Sequence, residues 1–282
     1  PPPADAYLRL AERFGLDPQA LDGWAVACRL TRQGVRLVDP ALRACAERLA
    51  AAAVLRRAAR LVGPLRAATR VERAPLVDPA RGEPDLEETL ANALGKPFPE
   101  PGDWVVRRRV ERRRQVVLMV DTSLSMSGEN MALAAVATAA LLLRLRPEDV
   151  AVVAFEDRAT TVTPLLRAEP PEEVVRRLLG QPVRGYTNLA AALRQGAAEL
   201  ERGRDPRRCG LLITDGVATV GGDPLPFAHR FPRLHVLLTE DYKMDYAMCR
   251  RLADAGHGDV VRVGSYQALP ARVLDVAARL LR

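Results

Sequence analysis

Five apolar residues, Val116 to Val120, run straight into a cluster of side-chain oxygen: Asp121, Thr122, Ser123, Ser125 and Ser127. One carboxylate and several hydroxyls at the end of a buried run suit four kinds of chemistry: a nucleophile, a phosphate cradle, a metal site or a helix cap. A Walker loop needs Gly-x-x-x-x-Gly-Lys-Ser/Thr and a dinucleotide fingerprint needs Gly-x-Gly-x-x-Gly, and neither is present. A nucleophile elbow needs Gly-x-Ser-x-Gly, and Ser123 and Ser125 lack those glycines. A phosphatase of the aspartyl-nucleophile kind wants a second Asp two positions after the first, where Ser123 stands, and no histidine follows in a place suited to a base. A flavodoxin-like phosphate loop can use hydroxyls, but a carboxylate at its start repels phosphate. Capping takes a single residue, and Ser127 can supply it for the helix that follows.

Hydroxyls and carboxylates without imidazole or thiolate suit a hard cation. Mg²⁺ prefers an octahedron of oxygens and tends to keep some waters. The alternating positions 121, 123 and 125 can aim three side chains into one cavity if the loop turns tightly. Two other loops can add ligands. Gly185 to Leu189 places Thr187 just before a helical stretch, and Leu211 to Gly216 ends an apolar run with Asp215.

These loops need elements to hold them. After Trp104, apolar runs of strand length alternate with helical stretches. The strand candidates are 116–120, 150–155, 160–165, 209–214, 234–238 and 260–263; the helix candidates are 130–144, 172–179, 189–202, 244–253 and 268–281. Such alternation predicts an α/β fold: a doubly wound, mostly parallel six-stranded sheet with helices on both faces. The short link from Phe155 to Thr160 predicts an antiparallel edge strand there. Ligands in such folds bind beyond the carboxyl ends of the strands, where strand order reverses. The oxygen cluster sits at such an end.

A small helical region precedes the sheet. Asp17 as N-cap, Pro18 at the first position and Gly34 as a stop outline one helix, and Asp39, Pro40 and Gly63 outline another. Prolines then recur between Pro64 and Pro101, a linker pattern interrupted by a short helix that starts at Asp85 and stops at Gly95. The predicted division is residues 1–63 as a helical N-terminal domain, 64–103 as a Pro-rich linker and 104–282 as the sheet domain. The first residues show neither an initiator Met nor a signal-peptide pattern, which reads as a trimmed terminus.

Composition narrows the classes further. Charge recurs too often for a transmembrane helix, and Met131 to Leu143 reads as a buried helix. Cys28, Cys45, Cys209 and Cys249 are widely spaced and complete no zinc pattern with His229, His235 or His257; buried thiols in a reducing cytoplasm fit them. Lys96 and Lys243 are the only lysines among 42 basic residues, a coding bias of GC-rich genomes. The net charge is +7, and most of it lies in the run Arg107 to Arg114, with its six arginines and one glutamate. That run reads as an extended, solvated approach to the first strand, with contact to an acidic protein or to nucleic acid as the alternatives.

Asp121-Thr122-Ser123-Leu124-Ser125, then Thr187, then Thr214-Asp215-Gly216 resemble the metal-ion-dependent adhesion site of von Willebrand factor A (VWA) domains in order, spacing and strand–loop context. The resemblance covers Trp104 to Arg282. It implies Mg²⁺ or Mn²⁺ coordinated by the hydroxyls of Ser123, Ser125 and Thr187. Asp121 and Asp215 would hold the ion directly or through water, and the sixth position would be open to an Asp or Glu of a partner protein. Leu124 stands where family members often have Gly, and Gly185-Tyr186 where they often have two glycines; neither removes a ligand. Leu124, Tyr186 and Arg184 would form the partner-facing rim. The wider context is similar to the bacterial and archaeal CoxE-like proteins that work with MoxR-type AAA+ ATPases, with the D subunit of magnesium chelatase a near relative. This resemblance implies a non-enzymatic, cytoplasmic, chaperone-like adaptor that helps maturation or metal insertion in a client. The alternatives are a nucleic-acid-binding scaffold of the ribonucleoprotein kind and a metal-dependent hydrolase.

Overall fold

The structure is a computed structural model that describes residues 4–17, 21–32, 37–63, 69–76, 82–98, 100–111, 114–183, 185–239 and 244–280. Contacts divide the chain differently from its composition. Residues 1–64 group with 114–280 in one compact unit, and residues 65–113 group in a second.

The larger unit begins with helices α1 (Ala4–Phe14), α2 (Gly23–Leu30) and α3 (Pro40–Val62). Asp39 caps α3 by accepting from the Ala41 and Leu42 amides, and Gly63 ends it, as the sequence predicts. For α2 the structure differs: the cap is Asp22, which accepts from the Ala25 amide, and not Asp17. Gly34, the predicted stop, lies outside the described residues.

The smaller unit pairs strands β1 (Thr69–Pro75) and β2 (Glu83–Pro84) on either side of β3 (Val105–Glu111), all antiparallel, with the helix α4 (Leu86–Ala93) between. Asp85 organises it. This fully buried carboxylate accepts from Nε and Nη2 of Arg107, each at 2.8 Å, and from Arg73 Nε at 2.9 Å, and it caps α4 through the Glu88 amide. The first arginine of the basic run, though exposed, is therefore ion-paired within the protein.

The larger unit continues with β4 (Val116–Asp121), α5 (Glu129–Arg144), β5 (Val150–Phe155), β6 (Ala159–Thr163), α6 (Pro171–Leu179), α7 (Leu189–Glu201), β7 (Cys209–Thr214), α8 (Leu225–Ala228), β8 (Leu234–Thr239), α9 (Tyr246–Ala255), β9 (Val260–Val263) and α10 (Leu269–Leu280). The sheet order is β6-β5-β4-β7-β8-β9, parallel except for the antiparallel edge strand β6. The chain runs outward from β4 on both sides, so strand order reverses at β4, where the oxygen cluster sits.

Strand residues alternate between the two faces. Val116, Leu118 and Val120 pack into a core with α2, α3, α5, α6 and α10, whereas Val117 and Met119 pack into a second core with α7 and α9. Complete burial of β4 on both faces matches its unbroken apolar run. Each fully buried Val, Leu or Met contributes about 1.5–3 kcal/mol, so β4 is a rigid anchor for the loop it ends in. Helix α5 is apolar on every side, with buried residues from Met131 through Leu142, because it is sandwiched: the sheet covers one side, α2 and α3 another. Among the described residues no helix is long and apolar enough to cross a membrane.

Candidate metal centre

Three loops at the carboxyl ends of β4 and β7 and before α7 carry the five residues. Asp121 is the last residue of β4 and is 1% exposed. Its Oδ1 accepts the Ser123 amide at 2.8 Å, which folds the loop back on the strand end, and its Oδ2 accepts the Thr214 hydroxyl at 3.0 Å. Thr122 fixes the loop laterally: its amide and its hydroxyl both donate to the Phe155 carbonyl of β5, at 2.8 and 2.9 Å. The chain then makes a single 3-10 turn, Leu124–Met126, with Met126 buried beneath it. Gly128, not Ser127, occupies the N-cap position of α5, with φ +78°. The Asn130 side chain donates to the Ser125 carbonyl at 2.8 Å.

The hydroxyls converge as this turn requires. Ser123 Oγ and Ser125 Oγ are 3.1 Å apart, and Ser125 Oγ donates to Asp215 Oδ2 at 3.4 Å. Three of the five expected ligands, Ser123, Ser125 and Asp215, thus form one connected set of oxygens spanning two strand ends, with the Asp121 carboxyl joined to it through the Ser123 amide. Asp215 is oriented by the Val217 amide, which donates to its Oδ1, and its carbonyl accepts the Asp245 amide. Gly216 next to it has φ +83°, and a Cβ there would lie 2.6 Å from both the Asp245 carbonyl and Cys249 Sγ, so only glycine fits.

Thr187 is 4% exposed and enters from a different direction. Its amide donates to Thr219 Oγ1 at 2.8 Å and its carbonyl accepts the Thr219 amide at 3.0 Å, which braces its loop against the one that follows Asp215. Asn188 caps α7 through the Ala191 amide and clamps the end of β5 by donating from its own amide to the Glu156 carbonyl and from its side chain to the Asp157 carbonyl. Of the expected rim, Leu124 and Tyr186 are 44% and 52% exposed on adjoining loops, and Arg184 lies outside the described residues.

Electrostatics at this end favour a cation. Burial pushes the Asp121 carboxyl up to about 7; the Ser123 and Thr214 hydrogen bonds oppose that shift and the neighbouring Asp215 charge adds to it. Two carboxylates held close among neutral hydroxyls form an all-oxygen donor set, which fits a hard divalent ion and offers nothing to a soft one. No group of three or more His, Cys, Asp and Glu suited to a metal occurs among the described residues, so the fit rests on the hydroxyls.

The positioning residues Thr122, Asn130, Asn188, Thr214 and Thr219 are not among the expected ligands. Asn188 carries a sequence signal as an N-cap before a helical stretch, and Asn130 acts on the Ser125 carbonyl five residues back; Thr122, Thr214 and Thr219 act through partners tens of residues away.

The sequence profile of the family described as "VWA domain containing CoxE-like protein" matches residues 52–235, more than half of the chain. Solved structures of proximal thread matrix protein 1 from the mussel byssus share the fold: one aligns with TM-score 0.52 and 17% identity over 60% of this chain and 46% of that one. Another, with a zinc occupied MIDAS motif, aligns with TM-score 0.50 and 17% identity over 58% and 47%. A von Willebrand factor type A structure from Catenulispora acidiphila aligns with TM-score 0.49 and 19% identity over 63% and 45%. The matched part spans less than half the length of each of these three chains. No curated protein matches the chain in sequence. The sheet order, the strand-end loops and the profile match agree, and the chain belongs to the family of VWA domain containing CoxE-like proteins.

Proposed function

We propose that the chain is a non-enzymatic adaptor that docks a partner protein through a divalent cation held at the carboxyl end of its sheet. Asp121, Ser123, Ser125, Thr187 and Asp215 would hold Mg²⁺ or Mn²⁺, and an Asp or Glu of the partner would complete the coordination. The observation that carries this reading is the connected oxygen set: Ser123 Oγ to Ser125 Oγ at 3.1 Å and on to Asp215 Oδ2 at 3.4 Å, beside the buried Asp121 carboxyl. The ion would supply an electrophilic point that orients an incoming carboxylate. The protein's own part is to hold the oxygens, through Thr122 on β5, Thr214 between Asp121 and Gly216, and Thr219 behind Thr187. The mussel protein of the same fold with a zinc occupied MIDAS motif supports a metal at this place.

The resemblance to CoxE-like proteins supports a reading of the partner class. We infer a MoxR-type AAA+ ATPase, its client, or both, in the cytoplasm, with the chain helping maturation or metal insertion and the ATPase supplying hydrolysis. The competing hydrolase needs a general base within reach of the metal. His229 and His257 lie in segments that lead into the amino ends of β8 and β9, and His235 is at the amino end of β8, away from the site. A nucleic-acid scaffold would draw on the arginine run, but Arg107 is committed to Asp85.

Surface-immobilised chain exposed to a MoxR-type ATPase of the same host tests the reading. Binding is expected with Mg²⁺ and is expected to weaken in EDTA and in Thr187→Ala. Full-strength binding in EDTA would show that the metal face is not the docking face.

A further inference from the structure

The ligand loop leaves the sheet at Asp121 and re-enters a helix at Gly128. Its start is held by the sheet; its exit is held by the N-terminal helical region. Thr31, the C-cap of α2, is 3% exposed and meets Gly128 at two points. The Gly128 amide donates to the Thr31 carbonyl at 3.2 Å. The Thr31 hydroxyl faces the Gly128 carbonyl at 2.8 Å and the Ala27 carbonyl at 2.9 Å, so its single proton ties the loop to the last turn of α2. Thr31 and Gly128 are 97 positions apart, and Thr31 lies outside residues 52–235, which the family profile matches.

The clamp acts where it governs the ligands. Gly128 sits at φ +78° and ψ −123°, and a glycine has no side chain of its own to fix such a turn. Its carbonyl also accepts the Ala132 amide at 3.2 Å, so Thr31 grips the residue at which loop becomes helix. Between Gly128 and the expected ligands stands one stiff turn, closed by the Met126 amide on the Ser123 carbonyl and the Ser127 amide on the Leu124 carbonyl, both at 3.0 Å. A shift at Gly128 is therefore carried to the Ser123 and Ser125 hydroxyls, and octahedral Mg²⁺ tolerates little error in where its ligands stand. Helix α2 is a firm support for this grip. Val26 and Ala27 are fully buried in the core shared with α5, and Gly23 lies so close to α3 that a Cβ there would stand 2.6 Å from the Leu49 carbonyl.

We propose that Thr31 is a positioning residue of the metal centre, through which the N-terminal helices set the ligand loop and sense its occupancy. The role toward the ion rests on the metal-dependent adaptor reading above; the Thr31–Gly128 clamp does not. Coupling between two places is reciprocal: if a seated α2 raises the affinity for the ion, the ion must steady α2.

The test compares wild type, Thr31→Val, Thr31→Ser and Asp39→Ala as full chains, by Mn²⁺ uptake in electron paramagnetic resonance and by amide hydrogen exchange. Valine keeps the shape of Thr31 and removes the hydroxyl, and serine restores it. Asp39→Ala removes the cap of α3, which loosens the N-terminal helices without touching the loop. Thr31→Val should weaken Mn²⁺ binding about fivefold, the scale of one hydrogen bond, while Thr31→Ser and Asp39→Ala stay near the wild-type value. Saturating Mg²⁺ should slow exchange of the Thr31 and Gly128 amides in wild type and do so less in Thr31→Val. Wild-type Mn²⁺ affinity in Thr31→Val, an equal loss in Asp39→Ala, or exchange at these amides indifferent to Mg²⁺ in wild type would overturn the positioning role. In EDTA the Gly128 amide should exchange faster in Thr31→Val than in wild type, and an unchanged rate would overturn the clamp itself. Wild-type protein that takes up no Mn²⁺ would overturn the metal reading and the positioning role with it, and leave the exchange result in EDTA unaffected.

Discussion

Replacing Thr214 with Val probes the one hydroxyl on which two of the site's loops depend. Thr214 is fully buried at the end of β7. Its hydroxyl donates to Asp121 Oδ2 at 3.0 Å and accepts the Gly216 amide at 3.1 Å. Valine matches its shape and keeps the packing, so the change isolates the hydrogen bonds. The buried Gly216 amide would lose its partner, at a cost of about 1–3 kcal/mol, and the Asp121 carboxyl would lose a charge-assisted bond of about 1.5–3 kcal/mol. Together these predict a loss of roughly 3–5 kcal/mol, and a melting temperature lower by about 10 °C for a unit of this size. Thr214→Ser keeps both bonds and removes one methyl, so it should lose only about 1 kcal/mol. Urea denaturation of the three proteins in EDTA measures this without any contribution from metal. If Thr214→Val were as stable as wild type, or more stable than Thr214→Ser, the hydrogen-bond account of how the site is held would be wrong.

Two further outcomes follow from groups away from the site. His235, nearly buried at the amino end of β8, accepts the Asp259 amide on Nδ1, and burial, aided by Arg233 and Arg279, lowers its proton affinity below the ordinary 6.5 while Asp259 opposes this. The unfolded chain therefore binds the proton more readily, and stability should be complete above about pH 6.5 and fall as the pH drops below it; in His235→Asn, which keeps an acceptor, denaturation midpoints between pH 5 and 7 should lose that slope. Asp85→Asn should expose residues 69–111 to limited proteolysis and leave melting of the larger unit unchanged, because Arg73 and Arg107, directly paired across β1 and β3, would then face each other without the carboxylate between them; cleavage at the wild-type rate would show that Asp85 does not organise the smaller sheet.

What the sequence discloses depends on how local the signal is. The four inner strands β4, β5, β7 and β8 stand out because burial on both faces leaves largely apolar runs, and the predicted ranges 150–155, 209–214 and 260–263 match residue for residue. The antiparallel edge strand follows from a link too short for a crossover. The three-stranded sheet is invisible by the same logic. TRVERAP and VVRRRVE each carry three or four charged residues in seven and show no apolar run, and the carboxylate that makes Arg73 opposite Arg107 tolerable lies 12 and 22 residues away. Helix α8 is a single turn, LPFA, too short to show a period. At the metal centre the oxygen-bearing residues are legible because they stand at strand ends in a spacing of two. The residues that aim them are not, since Thr214 reaches Asp121 over 93 positions and Thr122 reaches Phe155 over 33.

Manganese binding followed by electron paramagnetic resonance tests the central claim most directly, because it reports coordination without a partner. Wild-type protein should take up one Mn²⁺, displaceable by Mg²⁺, and should hold it weakly since waters complete the shell. Asp121→Ala and Ser125→Ala should lose that uptake while their folds remain intact by circular dichroism. Equal Mn²⁺ affinity in wild type and Asp121→Ala would contradict the account.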